Sequence, residues 1–416
     1  MRKLQVLVIG AGTGGLCLAH GLRAIGVDVR VFERDRTPTD RAQGYRLTIN
    51  AIGARALRSC LPAANFDHYV AASAKISTAV TFLDHKLHRL LAIQLPETDQ
   101  SAPEAPRPIS RIALRQVLLE GLEDTVSFGK SFVAFDELPN DRVRARFEDG
   151  STAEGDLIVA ADGASSRVRQ QLLPQAERIE TGLIAVSGRF ALDATTRQLA
   201  PASIFKGPTL MLGPRGGFLF SGAVEYPQND SSIYDKEEYG MWGFSASREA
   251  LGVAGSPDEV SGEDARTAVL AEMFDWNSNL RRLIERTEAW SLTTFAVKSS
   301  VPISPWRTIR VTLLGDALHN MTPYRGIGAN TALRDAASLR DALRDTNGGS
   351  RQLLPALSAY ERTMIDYGFA AVRASLASMR RLHAKSRVKR FATKTMFHLL
   401  DSAPRLQRLM SRAGSF

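Results

Sequence analysis

The chain opens on a pattern of apolar and polar positions that predicts its first three elements. Leu4 to Ile9 is a short, nearly continuous apolar run of the kind buried on both faces of a parallel sheet. Gly10, Gly12, Gly14 and Gly15 then break it. Apolar positions recur at helical spacing from Leu16 to Ile25, and Gly26 supplies the stop. Val27, Val29 and Val31 alternate into a second strand that ends at Phe32-Glu33. The result is a βαβ opening with a glycine-rich first turn.

Further along, Ala51 to Leu61 and Arg111 to Leu122 carry helical spacing. Thr78, Val80 and Phe82 alternate, and Leu87, Leu91 and Ile93 do so loosely, which predicts a hairpin over 75–95. Residues 100–108 form a Pro-rich connector. Val143 to Phe147 alternates strictly, turns at Asp149-Gly150 and resumes at Leu157 to Ala160, which predicts another hairpin. Between 180 and 300 the texture changes to strands and turns rich in glycine and aromatics. Leu210–Leu212, Gly217–Phe220 and Tyr239–Phe244 suit an antiparallel sheet, interrupted by a helix over Glu263–Trp276. Arg310 to Leu314 is again a buried-type strand, ending in Gly315-Asp316, and the rest is helical apart from a glycine-rich break near Asn347. Internal repeats and low-complexity tracts are lacking.

Length and composition narrow the class. A chain of 416 residues predicts two or three domains at roughly 150 residues each. An apolar fraction of 44% and a charged fraction of 23% exclude wholesale disorder. Two cysteines, Cys17 and Cys60, cannot build a disulfide framework or a four-thiolate metal site, and fit a reducing compartment. Arg2 and Lys3 precede an apolar run, but its glycines rule out a signal peptide's continuous core. No stretch of 18 apolar residues exists, so a cytoplasmic protein without a membrane span is expected. The net charge of +9 suggests a polyanion partner until it is located. Residues 371–416 hold 11 Lys/Arg against the single acid Asp401, while the remaining residues hold 42 Lys/Arg and 43 Asp/Glu. A neutral body argues against nucleic-acid binding.

Three motifs carry chemistry. In Gly10-x-Gly12-x-x-Gly15 the first glycine permits the tight turn, the second lets a pyrophosphate approach the backbone, and the third lets helix and strand pack closely. The amides and dipole at the helix start meet phosphate charge. Glu33, 18 residues after Gly15, is placed to grip a ribose hydroxyl and would repel a 2′-phosphate. The second motif is Ala161-Asp162-Gly163-Ala164-Ser165-Ser166-Arg167-Val168-Arg169. The third is Gly315-Asp316-Ala317-Leu318-His319, followed by Pro323, Gly326, Gly328 and Asn330.

In this order and spacing the three motifs resemble those of the class A FAD-dependent aromatic hydroxylases, which include para-hydroxybenzoate hydroxylase, polyketide hydroxylases and tetracycline-inactivating monooxygenases. The resemblance runs from Leu4 to about Tyr367. It implies an α/β fold: a Rossmann-like FAD-binding domain with an inserted, mostly antiparallel β-sheet substrate domain and a C-terminal helix. Residues 1–72, 106–178 and 301–370 would form the FAD-binding domain. Residues 73–105 and 179–300 would form the substrate domain, and 371–416 a basic helical segment.

The resemblance also implies site residues. Gly10, Gly12 and Gly15, with Ala11, Thr13 and Gly14 of the same turn, would hold the FAD pyrophosphate, and Glu33, with Arg34 beside it, the adenosine ribose. Arg46, in Gly44-Tyr45-Arg46, would lie near the flavin. Arg111 would help hold the cofactor chain, whereas Arg115 reads as an ordinary helix-face cation. Asp162-Gly163 would support FAD and a transient NAD(P)H contact, and Asp316 would bind a ribityl hydroxyl. Pro323, Gly326, Gly328, Ala329 and Asn330 would complete the flavin loop. Physically, Asp316 ends a strand on the ligand side of an open α/β sheet. The amides before the following helix can face the flavin edge that gains negative charge on reduction.

Two departures stand out. Ile327 occupies a position where the family often has glutamine, and Tyr324 follows Pro323 where many members have a second proline. Tyr324 is read either as facing the flavin or its substrate or as a packed aromatic, and His319 as structural. Met211, Phe218, Phe220, Trp242 and Phe244 are candidates for lining a bulky, hydrophobic substrate site, although at strand spacing such residues also make plain core.

No Ser-His-Asp or Cys-His spacing stands out, the seven histidines show no metal-ligand pattern, and no catalytic side chain is assigned. The resemblance implies flavin-borne chemistry: NAD(P)H reduces FAD, oxygen adds at C4a, and the hydroperoxide delivers one oxygen atom to a hydrophobic aromatic or natural-product molecule, as in antibiotic biosynthesis. An FAD-bound enzyme using flavin as a scaffold for a step such as cyclisation is the alternative. The absence of a Trp-x-Trp-x-Ile-Pro motif argues against halogenation. A monomer or homodimer is expected.

The basic segment has its own pattern. Val388, Phe391, Ala392, Met396, Leu399 and Leu400 fall on one helix face, flanked by Lys385, Arg387, Lys389, Arg390 and Lys394, with a break at Ala403-Pro404. The preferred reading is a helix whose apolar face bridges the two domains while its cations stay solvated. The alternative is docking on an anionic membrane surface.

Overall fold

The computed structural model describes residues 3–40, 46–96, 102–227, 237–346 and 352–403. The readings at Arg2, Gly44-Tyr45, residues 100–101, the break near Asn347 and Pro404 lie outside the described residues.

The βαβ opening forms from Gln5–Ile9, Thr13–Ala24 and Asp28–Phe32. Its helix stops because Gly26, at φ +79°, takes the left-handed conformation and donates its N–H to the Arg23 carbonyl. A five-stranded parallel sheet runs in the order Val311–Leu313, Leu157–Ala160, Gln5–Ile9, Asp28–Phe32, Val126–Ser127. The central strand pairs Val6 with Leu157 on one side and with Val29 on the other, and is buried from Val6 to Ile9. Parallel pairing sets the carboxyl ends of Gln5–Ile9, Leu157–Ala160 and Val311–Leu313 side by side. All three motifs leave the sheet there, on its ligand side.

Leu157–Ala160 is therefore not the return strand of a hairpin. Arg142–Phe147 instead pairs with Thr152–Gly155 across the Asp149-Gly150 turn, and with Phe132–Leu138 on its other side. Leu157-Ile158-Val159-Ala160 has no polar alternate position, which suits a strand covered on both faces rather than a half-exposed hairpin.

The second unit is a seven-stranded sheet in the order Thr293–Ser300, Arg178–Ala191, Tyr239–Ser247, Phe218–Val224, Thr209–Leu212, Ala79–Asp84, Arg89–Gln94. Pairing is antiparallel except between Thr209–Leu212 and Ala79–Asp84. The expected hairpin over 75–95 thus supplies the edge strands of this sheet. The helix expected over 263–276 is two, Gly262–Glu272 and Ser278–Glu285. These helices cover one face of the sheet and close a second core around Leu219, Phe244, Trp276 and Leu283. The opposite face carries Phe218, Phe220 and Met241, and Tyr324, Leu382, Phe397 and Leu400 pack against it where Phe218 lies.

Among the described residues three helices come last: Gly328–Arg344, packed on Thr13–Ala24 and Ala51–Cys60, then Leu353–Leu382 and Arg387–Asp401. Cys17 and Cys60 are buried free thiols. No helix among the described residues is long and apolar enough to cross a membrane.

Candidate active site

The glycine turn separates what the protein itself requires from what something else requires. Gly10 has φ +107°, and a Cβ built on it would lie 2.4 Å from the Ala161 carbonyl oxygen. A Cβ on Gly15 would lie 2.1 Å from the Gly10 carbonyl oxygen, and one on Gly14 would lie 2.7 Å from Leu314 Cδ1 and against Ala332. Internal packing explains all three. Gly12 differs, because a Cβ there meets nothing within 4 Å. Its φ of −79° needs no glycine either. What Gly12 keeps open is a cradle for a group from outside, at the start of a helix whose first amides lack intrahelical partners.

Glu33 closes the turn from the next strand. It is buried, its Oε2 accepts the Ala11 N–H at 2.7 Å, and its Oε1 accepts the Asp35 N–H at 3.0 Å. The two amides hold the carboxylate at the lip of a cleft of about 440 Å³. Gly10, Ala11, Gly12, Thr13, Arg34, Arg111, Asp162 and Gly163 line the same cleft. So do Arg115, Lys130 and Arg167. Arg115 is not an ordinary helix-face cation: its side chain is only 18% exposed and pairs at 3.3 Å with the buried Asp35. Lys130 escapes sequence reasoning because it precedes the strand Phe132–Leu138, which the apolar pattern does not reveal. The cluster of cations around an open glycine suits a diphosphate.

The other two motifs converge on this turn. Asp162 Oδ2 accepts the Arg167 N–H at 3.0 Å, Gly163 takes φ +78°, and burial raises the carboxyl pKa of Asp162. The buried Arg169 donates to the Ala164 carbonyl at 3.0 Å and to the Ala317 carbonyl at 2.9 Å, clipping the second motif to the third. In the third motif Gly315 turns at φ +60° and Asp316 stays exposed. A Cβ on Gly328 would lie 3.9 Å from Asp316 Oδ1. Pro323 and Gly326 are exposed and Ala329 half-buried.

Asn330 departs from its assigned role. Its Nδ2 donates to the Thr48 carbonyl at 2.9 Å and its Oδ1 accepts the Asn50 N–H at 2.9 Å. The side chain is spent on holding Arg46–Ile49 against the helix Gly328–Arg344, so it positions the loop.

A buried hub under the third motif was not read from the sequence. Asp335, on the helix Gly328–Arg344, accepts from Gly315 N–H at 2.7 Å, His319 Nε2 at 2.7 Å and Tyr367 hydroxyl at 2.5 Å. Its only sequence signal is an acid on the helix's apolar face. Burial works against the charged form of His319, but the charge and hydrogen bond of Asp335 outweigh it and raise the pKa. The stability this adds is fully present below the ordinary histidine value, about 6.5, and is lost as pH rises through the higher folded value. His319→Gln is therefore expected to lower the melting temperature most below about pH 6.5 and progressively less in alkaline buffer. Thermal melts of both proteins across that range check it, and a gap independent of pH would refute a charged His319.

On the substrate side the expectation is half corrected. Met211 and Trp242 face away from the cleft into the second core, where Trp242 Nε1 donates to the Thr287 hydroxyl at 2.8 Å, and Phe244 lies with them. Strand alternation decides this: residues 218 and 220 share one face, while 211, 219, 242 and 244 share the other. Phe218 and Phe220 lie on the face that the two helices leave open and share a cluster with Tyr324. The Tyr324 hydroxyl donates to Ser245 Oγ at 3.0 Å and lies 2.9 Å from His383 Nε2, whose Nδ1 donates to the Gly216 carbonyl at 2.7 Å. Burial lowers the His383 pKa to about 4, so the ring is neutral there. Arg46 donates to the Ala223 carbonyl at 3.2 Å and to Ser77 Oγ at 2.8 Å, and burial lowers its pKa to about 10.

Comparisons with known proteins point the same way. The family model for a FAD binding domain matches residues 3–374. A dual O-methyltransferase/FAD-dependent monooxygenase, elcB of Phaeosphaeria nodorum, is 31% identical over 383 residues, which is 84% of this chain and 41% of that one. The chain thus spans less than half the length of such fungal relatives. A solved structure assigned as a FAD-containing monooxygenase from Photorhabdus luminescens is 32% identical, with a TM-score of 0.80 over 92% of this chain and 99% of its own. HpxO of Klebsiella pneumoniae, complexed with FAD and uric acid, shares the fold at 23% identity, with a TM-score of 0.79 over 99% of this chain and 96% of its own.

Proposed function

Because this chain belongs to the FAD binding domain family of flavoprotein monooxygenases, with FAD as its cofactor, we propose that it uses NAD(P)H and O2 to insert one oxygen atom into a bulky hydrophobic aromatic or natural-product molecule. The observation that carries this reading is Gly12, which neither packing nor backbone conformation requires to be glycine, in the turn on which the other two motifs converge. Bound FAD supplies the two-electron redox chemistry linking the nicotinamide, oxygen and the substrate.

The chain's own residues bind, orient and exclude water. Amides of the Gly10–Gly15 turn, with Arg34, Arg111 and Arg115, would neutralise the pyrophosphate. Glu33 would accept from ribose hydroxyls, and Asp316 would accept from a ribityl hydroxyl. The amides that open the helix at Gly328 would face a carbonyl edge that gains negative charge on reduction. Phe218, Phe220 and Tyr324 offer an apolar wall. Ser245, which accepts the Tyr324 hydroxyl and lies 3.2 Å from His383 Nε2, would hold the ring in one orientation toward a substrate.

The test uses purified protein. Flavin absorbance is expected, as is NADPH- or NADH-dependent oxygen uptake that rises several-fold with an aromatic polyketide substrate and yields a product heavier by one oxygen atom. Protein that neither retains nor rebinds FAD would sink the cofactor assignment. Bound flavin that neither nicotinamide reduces, with substrates present, would sink the monooxygenase reading and favour a non-oxygenating step.

A further inference from the structure

The last helix, Arg387–Asp401, docks by one edge only. Phe397 and Leu400 are buried in the cluster that holds Phe218, Phe220 and Tyr324, with the Phe82 and Phe397 ring centroids 4.7 Å apart. Asp401 fixes its end, accepting the Ala92 N–H at 2.9 Å and pairing with Arg89 at 3.1 Å. Of the stripe expected to bridge the two domains, only Leu400 packs inward, and the rest is turned outward. Val388 is 77% exposed, Phe391 74% and Leu399 67%, with Met396 at 39%.

At about 100° per residue, Val388, Phe391, Ala392, Thr395 and Leu399 form one continuous ridge on the side opposite Phe397. Lys389 lies on one flank of the ridge and Lys394 on the other, and Lys385 precedes it. The helix's single acid, Asp401, is already paired with Arg89. Elsewhere the most exposed aromatics are covered: Arg215 lies 4.6 Å over the Phe274 ring and Arg189 lies 4.1 Å over the Trp290 ring. Phe391 has no such partner among the described residues.

We propose that this ridge seats the protein on an anionic membrane surface. Apolar side chains would enter the headgroup boundary while Lys389 and Lys394 reach lipid phosphates on either side. Charge selects this occupant. A second copy packed on the ridge would set its own lysines against these with no exposed acid on the helix to pair them. The same helix closes the cluster around Phe220 and Tyr324, so docking would set that apolar wall next to the bilayer. That last consequence rests on the proposed function, whereas the docking itself does not.

Vesicle co-sedimentation of the full chain tests it. Binding to phosphatidylglycerol-rich vesicles is expected to exceed binding to pure phosphatidylcholine at least tenfold and to weaken with salt. The double variant F391S/L399S and the double variant K389E/K394E are each expected to lose tenfold or more, with FAD content and melting temperature unchanged because none of these side chains is buried. Failure to bind anionic vesicles, or equal binding by both variants, would overturn the proposal. So would a dimer in analytical ultracentrifugation that F391S/L399S dissociates without any vesicle binding, which would give the ridge to a second copy.

Discussion

Replacing Gly12 with valine is expected to abolish FAD retention while leaving the protein folded. A Cβ at this position touches nothing within 4 Å, so neither backbone nor core has to move. The valine methyls would instead stand in the cradle and keep a pyrophosphate off the amides. A hydrogen bond to a charged group is worth about 1.5–3 kcal/mol, so losing two weakens FAD binding by roughly two to four orders of magnitude. Flavin titration of the apoprotein reads the affinity and urea unfolding reads the fold. Gly15→Ala is the counterpart, because its Cβ would lie 2.1 Å from the Gly10 carbonyl oxygen. That variant is expected to lose about 3 kcal/mol of stability by overpacking of backbone that cannot yield. A Gly12→Val protein with normal flavin content would refute the map of the site.

Asp335→Ala is expected to cost about 3–5 kcal/mol, because it strands the Gly315 amide and the Tyr367 hydroxyl and leaves His319 as an unpaired buried cation. The loss should be largest at low pH, where His319 is charged, and smaller in alkaline buffer. Asp335→Asn keeps the shape but offers one acceptor oxygen to three donors, and is expected to cost about 1–3 kcal/mol. Chemical denaturation across pH separates the two variants. Loosening Gly315 would also free Asp316, so the alanine variant should bind FAD more weakly than its residual fold alone explains. An alanine variant as stable as wild type would remove the hub from the account.

The parts of the site visible in the sequence share one property: they are local. Gly10 to Gly15, Glu33 and Gly315-Asp316 sit at the ends of strands whose apolar runs are short and clean, and their chemistry follows from neighbours a few residues away. What stayed hidden depends on chain brought in from far off. Arg178–Ala191 reads as fragments because Gly182, at φ +78°, shifts the register between Glu180 and Ile184. Thr293–Ser300 is too polar to announce a strand. Met211 and Trp242 looked like substrate contacts because alternation shows that two faces exist without showing which one a helix will cover. The outward ridge of the last helix was misjudged for the same reason: Phe397, off the stripe, and Leu400, at its margin, took the buried edge.

The order of the parallel sheet also bears on when the enzyme comes into being. Gln5–Ile9 precedes its neighbour Leu157–Ala160 by about 150 residues, and Val311–Leu313 follows about 150 later again. Closing loops of that length is slow compared with closing hairpins. Each contact between the glycine turn and the later motifs, from Ala161 against Gly10 to Ala332 against Gly14, waits on that closure. A nascent chain would therefore carry its first glycine turn through about 300 residues of synthesis before the third motif arrives to complete the pocket. Cofactor binding would then follow that closure, and bound FAD would stabilise the closed assembly by mass action.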